Sequence, residues 1–122
     1  MDKLQELTDK LYQEGLSKGR QEGEALLAKI RPGDRVIAMT IGGKQRSSEE
    51  LARHLEELRT GGVSRVVFVI GGSLGLGGNV LARADEELSM SRMTFPHRLA
   101  RVMLLEQLYR AEKINAGERY HK

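Results

Sequence analysis

Residues 66–76 read VVFVIGGSLGL, and this run constrains the fold of the chain more than any other. β-Branched and aromatic residues in succession, without polar alternation, suit a strand buried on both faces, the environment of a parallel sheet. The glycines that end it remove side chains where something else must approach the backbone closely. A second segment, residues 88–111, reads LSMSRMTFPHRLARVMLLEQLYRA. It is a short alternating stretch, a turn ending in Phe95-Pro96-His97, and then an almost wholly apolar helix. Both segments supply a loop at a strand end, where α/β proteins bind small ligands.

The rest of the chain surrounds these segments with alternating elements. With 122 residues it makes one domain, large enough for a real core. Leu4, Leu7 and Leu11, then Ala25, Leu26 and Ile30, predict a helix over residues 2–30, firm only from about Ser17. Gly15, Gly19 and Gly23 recur every four residues and share one helical face. Such spacing marks either a close backbone contact or a weak, broken helix, since each glycine costs about 1 kcal/mol against alanine. Arg31-Pro32-Gly33-Asp34 ends that helix with turn chemistry. A strand follows over residues 35–41, then a mobile basic loop over 42–46. Ser47 and Glu50 form a capping box for a helix whose apolar face carries Leu51, Leu55 and Leu58 and which stops at Gly61-Gly62. The pattern continues with a strand over 63–70, a helix over 79–86 and a strand over 88–93. Pro96 then opens a last helix at a position suited to its first turn. That helix is apolar on nearly all sides in its first half, which predicts burial on more than one face. The order αβαβαβα indicates a parallel sheet with crossover helices.

Composition narrows the function classes. Hydrophobic residues make up 39% and charged residues 30%, the balance of a soluble globular protein. No apolar run approaches the ~20 residues of a bilayer span, and the polar start lacks the core of a secretory signal. The absence of cysteine excludes disulfides, thiolate metal sites and thiol catalysis. His54, His97 and His121 have no metal-ligand spacing, so a metal-free cytoplasmic protein is expected. The net charge of +3 permits a nucleic-acid partner without requiring one. Aromatic residues are only 4%, too few for a base-stacking platform.

The glycine-rich stretch of residues 71–78 invites a phosphate-loop reading, which its neighbours refuse. Gly72 and Gly77 have the right gap, but Gly78 and Asn79 stand where a lysine and a hydroxyl are required. A dinucleotide fingerprint fails too, because Val80 replaces its last glycine. Read alone, the glycines fit a simple turn as well as a ligand loop.

The second segment discriminates. Residues 88–97, LSMSRMTFPH, followed by Arg101-Val102 and Glu106-Gln107-Leu108-Tyr109-Arg110-Ala111, resemble the C-terminal signature of the ribosomal RNA large-subunit methyltransferase H family, within the SPOUT superfamily of knotted methyltransferases. Gly71-Gly72-Ser73, Gly75-Leu76, Gly43-Lys44 with Ser47-Ser48, Glu22-Gly23 with Ala28-Lys29-Ile30, and the terminal Tyr120-His121-Lys122 match as well. The resemblance covers residues 17–122 of a single domain spanning 1–122, with 1–16 poorly matched.

The resemblance implies a SPOUT-type α/β knot, with a parallel sheet, flanking helices and a C-terminal trefoil. It implies a homodimer that uses S-adenosyl-L-methionine to methylate N3 of a pseudouridine in large-subunit (23S) rRNA within the ribosome. By position, the cofactor contacts fall on Met39, Gly71, Met90, Ser91, Arg92, Met93, Thr94 and Phe95. His121, Tyr120 and Arg110 are the catalytic candidates, with His121 in the right range for a base. The ordinary alternative for Arg110 is an ion pair with Glu106 one helical turn away. His97 suits a structural hydrogen bond, while Arg92, Arg98, Arg101, Lys44 and Arg46 could face phosphates. The family's usual initial strand, helix and strand have no counterpart here. This N-terminally shortened pattern leaves a second expectation: an inactive cofactor- or RNA-binding remnant.

Overall fold

The computed structural model describes residues 20–71 and 76–118. In chain order they form α1 (Arg20–Leu27), β1 (Arg35–Gln45), α2 (Ser48–Thr60), β2 (Val66–Ile70), α3 (Gly78–Arg83), β3 (Glu86–Ser89) and α4 (His97–Asn115). The strands lie in the order β2-β1-β3, and both pairings are parallel. This is the α/β architecture that the alternation of elements predicts.

Successive strand residues face opposite sides of the sheet, and here both sides are covered. Ile37, Phe68, Ile70 and Leu88 pack with Leu51 of α2 and Leu104 and Leu108 of α4. Val36, Val67 and Val69 pack on the other face with Leu26 of α1 and Val80 of α3. Each fully buried side chain of this size stabilises the fold by about 1.5–3 kcal/mol. Double-sided burial is why β2 reads as an unbroken apolar run.

Local signals fix several boundaries. At the start of α2 the Glu50 N–H donates to Ser47 Oγ (3.0 Å) and the Ser47 N–H to Glu50 Oε1 (2.7 Å). The helix ends at Gly61, and Gly62 takes a φ of 98°, a conformation that favours glycine. β2 begins at Val66 rather than at 63, because the Val63 N–H closes the helix end on the Leu58 carbonyl (3.0 Å). α1 ends at Leu27, before the predicted residue 30. The Lys29 and Ile30 N–H groups bond three residues back, and the Asp34 carboxylate accepts the Arg31 N–H (2.7 Å). A Cβ on Gly23 would lie 2.7 Å from Asn79 Oδ1 and 3.2 Å from a Val80 methyl, so this glycine lets α1 close on the side chains of α3. Gly15 and Gly19 lie outside the described residues.

Three predicted features are corrected. Residues 42–46 are not a mobile loop, since β1 continues to Gln45. After Ile37, Ala38 and Met39 pair with Glu86, Glu87 and Leu88, residues 40–43 detour, and Lys44 and Gln45 then pair with Leu88 and Ser89. The shorter α3 and earlier β3 have one cause, Asp85. Its carboxylate accepts the Val36 N–H (2.7 Å) and its own N–H donates to the Val36 carbonyl (2.8 Å), docking residues 86–89 beside β1. Residues 90–95 are therefore a loop, not the second half of a strand. The third correction concerns α4, for which Pro96 is the N-cap residue. Within the chain it buries one face, through Leu104, Leu108 and Ala111, while Leu99 and Val102 stay 47% and 62% exposed.

Candidate functional site

Because the strands are parallel, the loops at their carboxyl ends gather on one side. There they enclose a cavity of about 360 Å³, within the range typical of small-molecule sites. Met39, Thr40 and Ile41 of β1 form one wall, and Ile70 and Gly71 at the end of β2 a second. Met90, Ser91, Met93, Thr94 and Phe95 form the third, with Leu76, Leu81, Leu88 and Ala100 completing it. Of the eight residues expected to contact a cofactor, seven line this one cavity. Arg92 does not, and its side chain is exposed. The sequence reading missed Thr40 and Ile41 as site residues, because it took them as the regular end of a strand over 35–41 where the chain in fact detours from the sheet.

The walls are apolar, and among the described residues no ionisable side chain lines them. Polarity comes from the main chain and hydroxyls. Ser89, only 3% exposed, donates from Oγ to the Ser91 carbonyl (2.9 Å), and Ser91 Oγ accepts the Met93 N–H (3.0 Å). The main-chain N–H groups of Arg92, Thr94 and Phe95 have no partner among the described residues. At the rim, Thr40 Oγ1 donates to Glu87 Oε1 (2.9 Å). Gly71 presents bare backbone to the cavity, so a flat ligand meets no Cβ there. Such a site suits a ligand with a planar, hydrogen-bonding end and an apolar body, as an adenosyl group has.

The remaining candidates lie elsewhere. Arg110 sits on α4 and pairs with Glu106 (Nη2–Oε2 2.8 Å, Nε–Oε1 3.3 Å), the arrangement its spacing allows. Tyr120 and His121 fall outside the described residues, as do residues 72–75 of the glycine stretch. Lys44, Arg92 and Arg98 are exposed, whereas Arg46 and Arg101 are half-buried. At the opposite, amino end of the strands, Glu86 accepts from Arg35 Nε (2.8 Å) and His54 Nε2 (2.7 Å), tying α2 to the sheet.

A family model described as "Predicted SPOUT methyltransferase" matches residues 3–121. The chain belongs to the SPOUT methyltransferase family. Among its SPOUT relatives, the Ribosomal RNA large subunit methyltransferase H of an Exiguobacterium species is 57% identical over 103 residues, which are 84% of this chain and 65% of that protein. The protein of the same name from Bacillus pumilus is 58% identical over 102 residues, 84% of this chain and 64% of its own length. That from Bacillus thuringiensis is 52% identical over 123 residues, 96% of this chain and 77% of its own. The chain spans less than two thirds of the length of the first two.

Proposed function

We propose that this SPOUT protein is an S-adenosyl-L-methionine-dependent methyltransferase acting on N3 of a pseudouridine in large-subunit rRNA. The observation that carries the reading is the cavity at the strand ends, which collects seven residues the resemblance assigns to the cofactor. Its fit to the cofactor rests on its volume, its methionine and phenylalanine walls, and the main-chain N–H groups of Thr94 and Phe95, which have no partner among the described residues. When bound, S-adenosyl-L-methionine supplies an electrophilic methyl group.

The chain's own residues then have two tasks. Met39 and Phe95 exclude water from the reacting centre, while Gly71 and the loop backbone fix the adenosyl end. The N3 imide of a pseudouridine is a weak acid, so the protein must take up its proton or stabilise the resulting anion. His121 is the candidate for that step, with Tyr120 beside it. Arg110 supplies charge to the RNA backbone or the displaced base, in exchange for its pairing with Glu106. Lys44, Arg92 and Arg98 are exposed and suited to phosphates.

The same reading takes the molecule as a cytoplasmic homodimer with a C-terminal trefoil knot. Leu99 and Val102, one turn apart on α4, are 47% and 62% exposed, and Met93 on the preceding loop is 70% exposed; these are apolar side chains that a second copy can cover. Incubation with labelled cofactor and ribosomes lacking the mark tests the activity. Label on the pseudouridine is the expected result. Cofactor binding without transfer, where a full-length relative labels its rRNA, would reduce the protein to a binding module.

A further inference from the structure

Ser89 is one of two buried polar side chains among the described residues, and it ends β3 between Leu88 and Met90, which line the candidate site, without lining it itself. A buried hydroxyl costs free energy unless it is hydrogen-bonded. Its single hydrogen bond among the described residues goes to the carbonyl of Ser91 (2.9 Å), two residues along the loop. Ser91 in turn uses its own hydroxyl to hold the Met93 N–H (3.0 Å). The two serines thus make a short relay that defines the turn from the end of β3 into the cavity wall.

The relay has a consequence for the cavity, because Ser91, Met93, Thr94 and Phe95 all line it. A loop held at the Ser91 carbonyl and at the Met93 N–H keeps one path past the ligand. We propose that Ser89 is a positioning residue for cofactor binding: by holding the Ser91 carbonyl it fixes the turn that carries Ser91, Met93, Thr94 and Phe95 into the cavity wall. The inference rests on the cavity being the cofactor site.

Calorimetric titration of the whole chain with S-adenosyl-L-methionine, alongside thermal unfolding without ligand, tests it. Ser89→Ala removes one oxygen and demands no new space. It is expected to raise the Kd about tenfold while the ligand-free melting temperature stays near that of the parent. Ser89→Thr keeps the hydroxyl and is expected to restore most of the affinity. Where methyl transfer is measurable, KM for the cofactor rises in Ser89→Ala with kcat nearly unchanged, the mark of lost ground-state binding. Equal affinity of Ser89→Ala and the parent overturns the inference and leaves the site reading intact. A parallel loss of affinity and melting temperature also overturns it, making Ser89 a structural residue only. A parent protein that does not bind the cofactor removes the site reading itself, and the inference with it.

Discussion

Replacing Gly43 with alanine tests how the far end of β1 is held over β3. A Cβ at this position would lie 2.8 Å from three backbone atoms, the carbonyl carbons of Glu87 and Leu88 and the nitrogen of Leu88. Carbon contacts settle near 3.5–4.0 Å, so the strands must part by roughly 0.7 Å or more. Backbone atoms of a paired strand cannot swing aside as a side-chain tip can. Overpacking of this kind costs about 1–3 kcal/mol. Gly42 is the internal control: an added Cβ there meets nothing within 4 Å, and its φ is not positive. Gly42→Ala is expected to stabilise by about 0.4–1 kcal/mol, because alanine restricts the unfolded chain. The same chemical change at adjacent positions thus moves stability in opposite directions. At roughly 4 °C per kcal/mol, the two variants should melt about 6–16 °C apart. Urea unfolding followed by far-ultraviolet circular dichroism reads the difference, provided the denaturant slopes agree. Equal midpoints for the two variants would refute the close approach. The Gly43 variant should also bind S-adenosyl-L-methionine more weakly, since parting the strands displaces the wall carrying Thr40 and Ile41.

Other substitutions probe separate parts of the molecule. Burial works to raise the Asp85 carboxyl, but the Val36 N–H, the Arg83 hydrogen bond and the charges of Arg83 and Arg35 together hold it below its usual value. A depressed pKa contributes stability above the unfolded value, near 4, that is lost as pH falls through the folded one. Asp85→Asn should therefore unfold at lower urea at pH 7, with the gap to the parent closing below about pH 4; a gap independent of pH would contradict the assignment. Leu104→Ala, at a fully buried position between α4 and the sheet, should cost about 2–5 kcal/mol in equilibrium unfolding. Ser47→Ala should cost about 1 kcal/mol by removing the cap of α2, also read from the urea midpoint. Val102→Glu, at an exposed position of α4, should dissociate the proposed dimer in light scattering with little loss of helix signal; an unchanged mass would place the interface elsewhere.

What the sequence revealed follows the range of the interactions involved. The capping box of Ser47 and Glu50 and the double-sided burial of β2 were legible because the relevant residues are adjacent in sequence. β3 was misplaced because Leu88 and Met90, each followed by a serine, imitate the alternation of a strand. In the structure Ser89 and Ser91 spend their hydroxyls on a turn, and the pairing begins earlier, at residues positioned by Asp85 and Val36. That contact joins residues 49 positions apart, and no local periodicity encodes it. The return of β1 was hidden for the same reason: Gly43 reads as loop punctuation until the backbone of Leu88 lies against it. The cavity wall at residues 90–95 was found through family resemblance, whereas Thr40 and Ile41, which read as the end of a regular strand, disclose their place only in the detour itself.

The double pairing of Leu88 with Met39 and with Lys44 makes residues 40–43 a segment anchored at both ends to one point of the sheet. Apart from Gly43, whose backbone lies against Leu88, changes between the anchors leave the register alone, since each side is set by its own pairing. Lengthening a closed loop is also cheap, about 0.6 kcal/mol for each doubling. The cavity's β1 wall is thus insulated from the rest of the fold. Side-chain changes at Thr40 or Ile41, or one residue inserted between them, can reshape what the cavity accepts while the three strands keep their alignment. Selectivity for the ligand can be re-engineered in this segment without rebuilding the sheet.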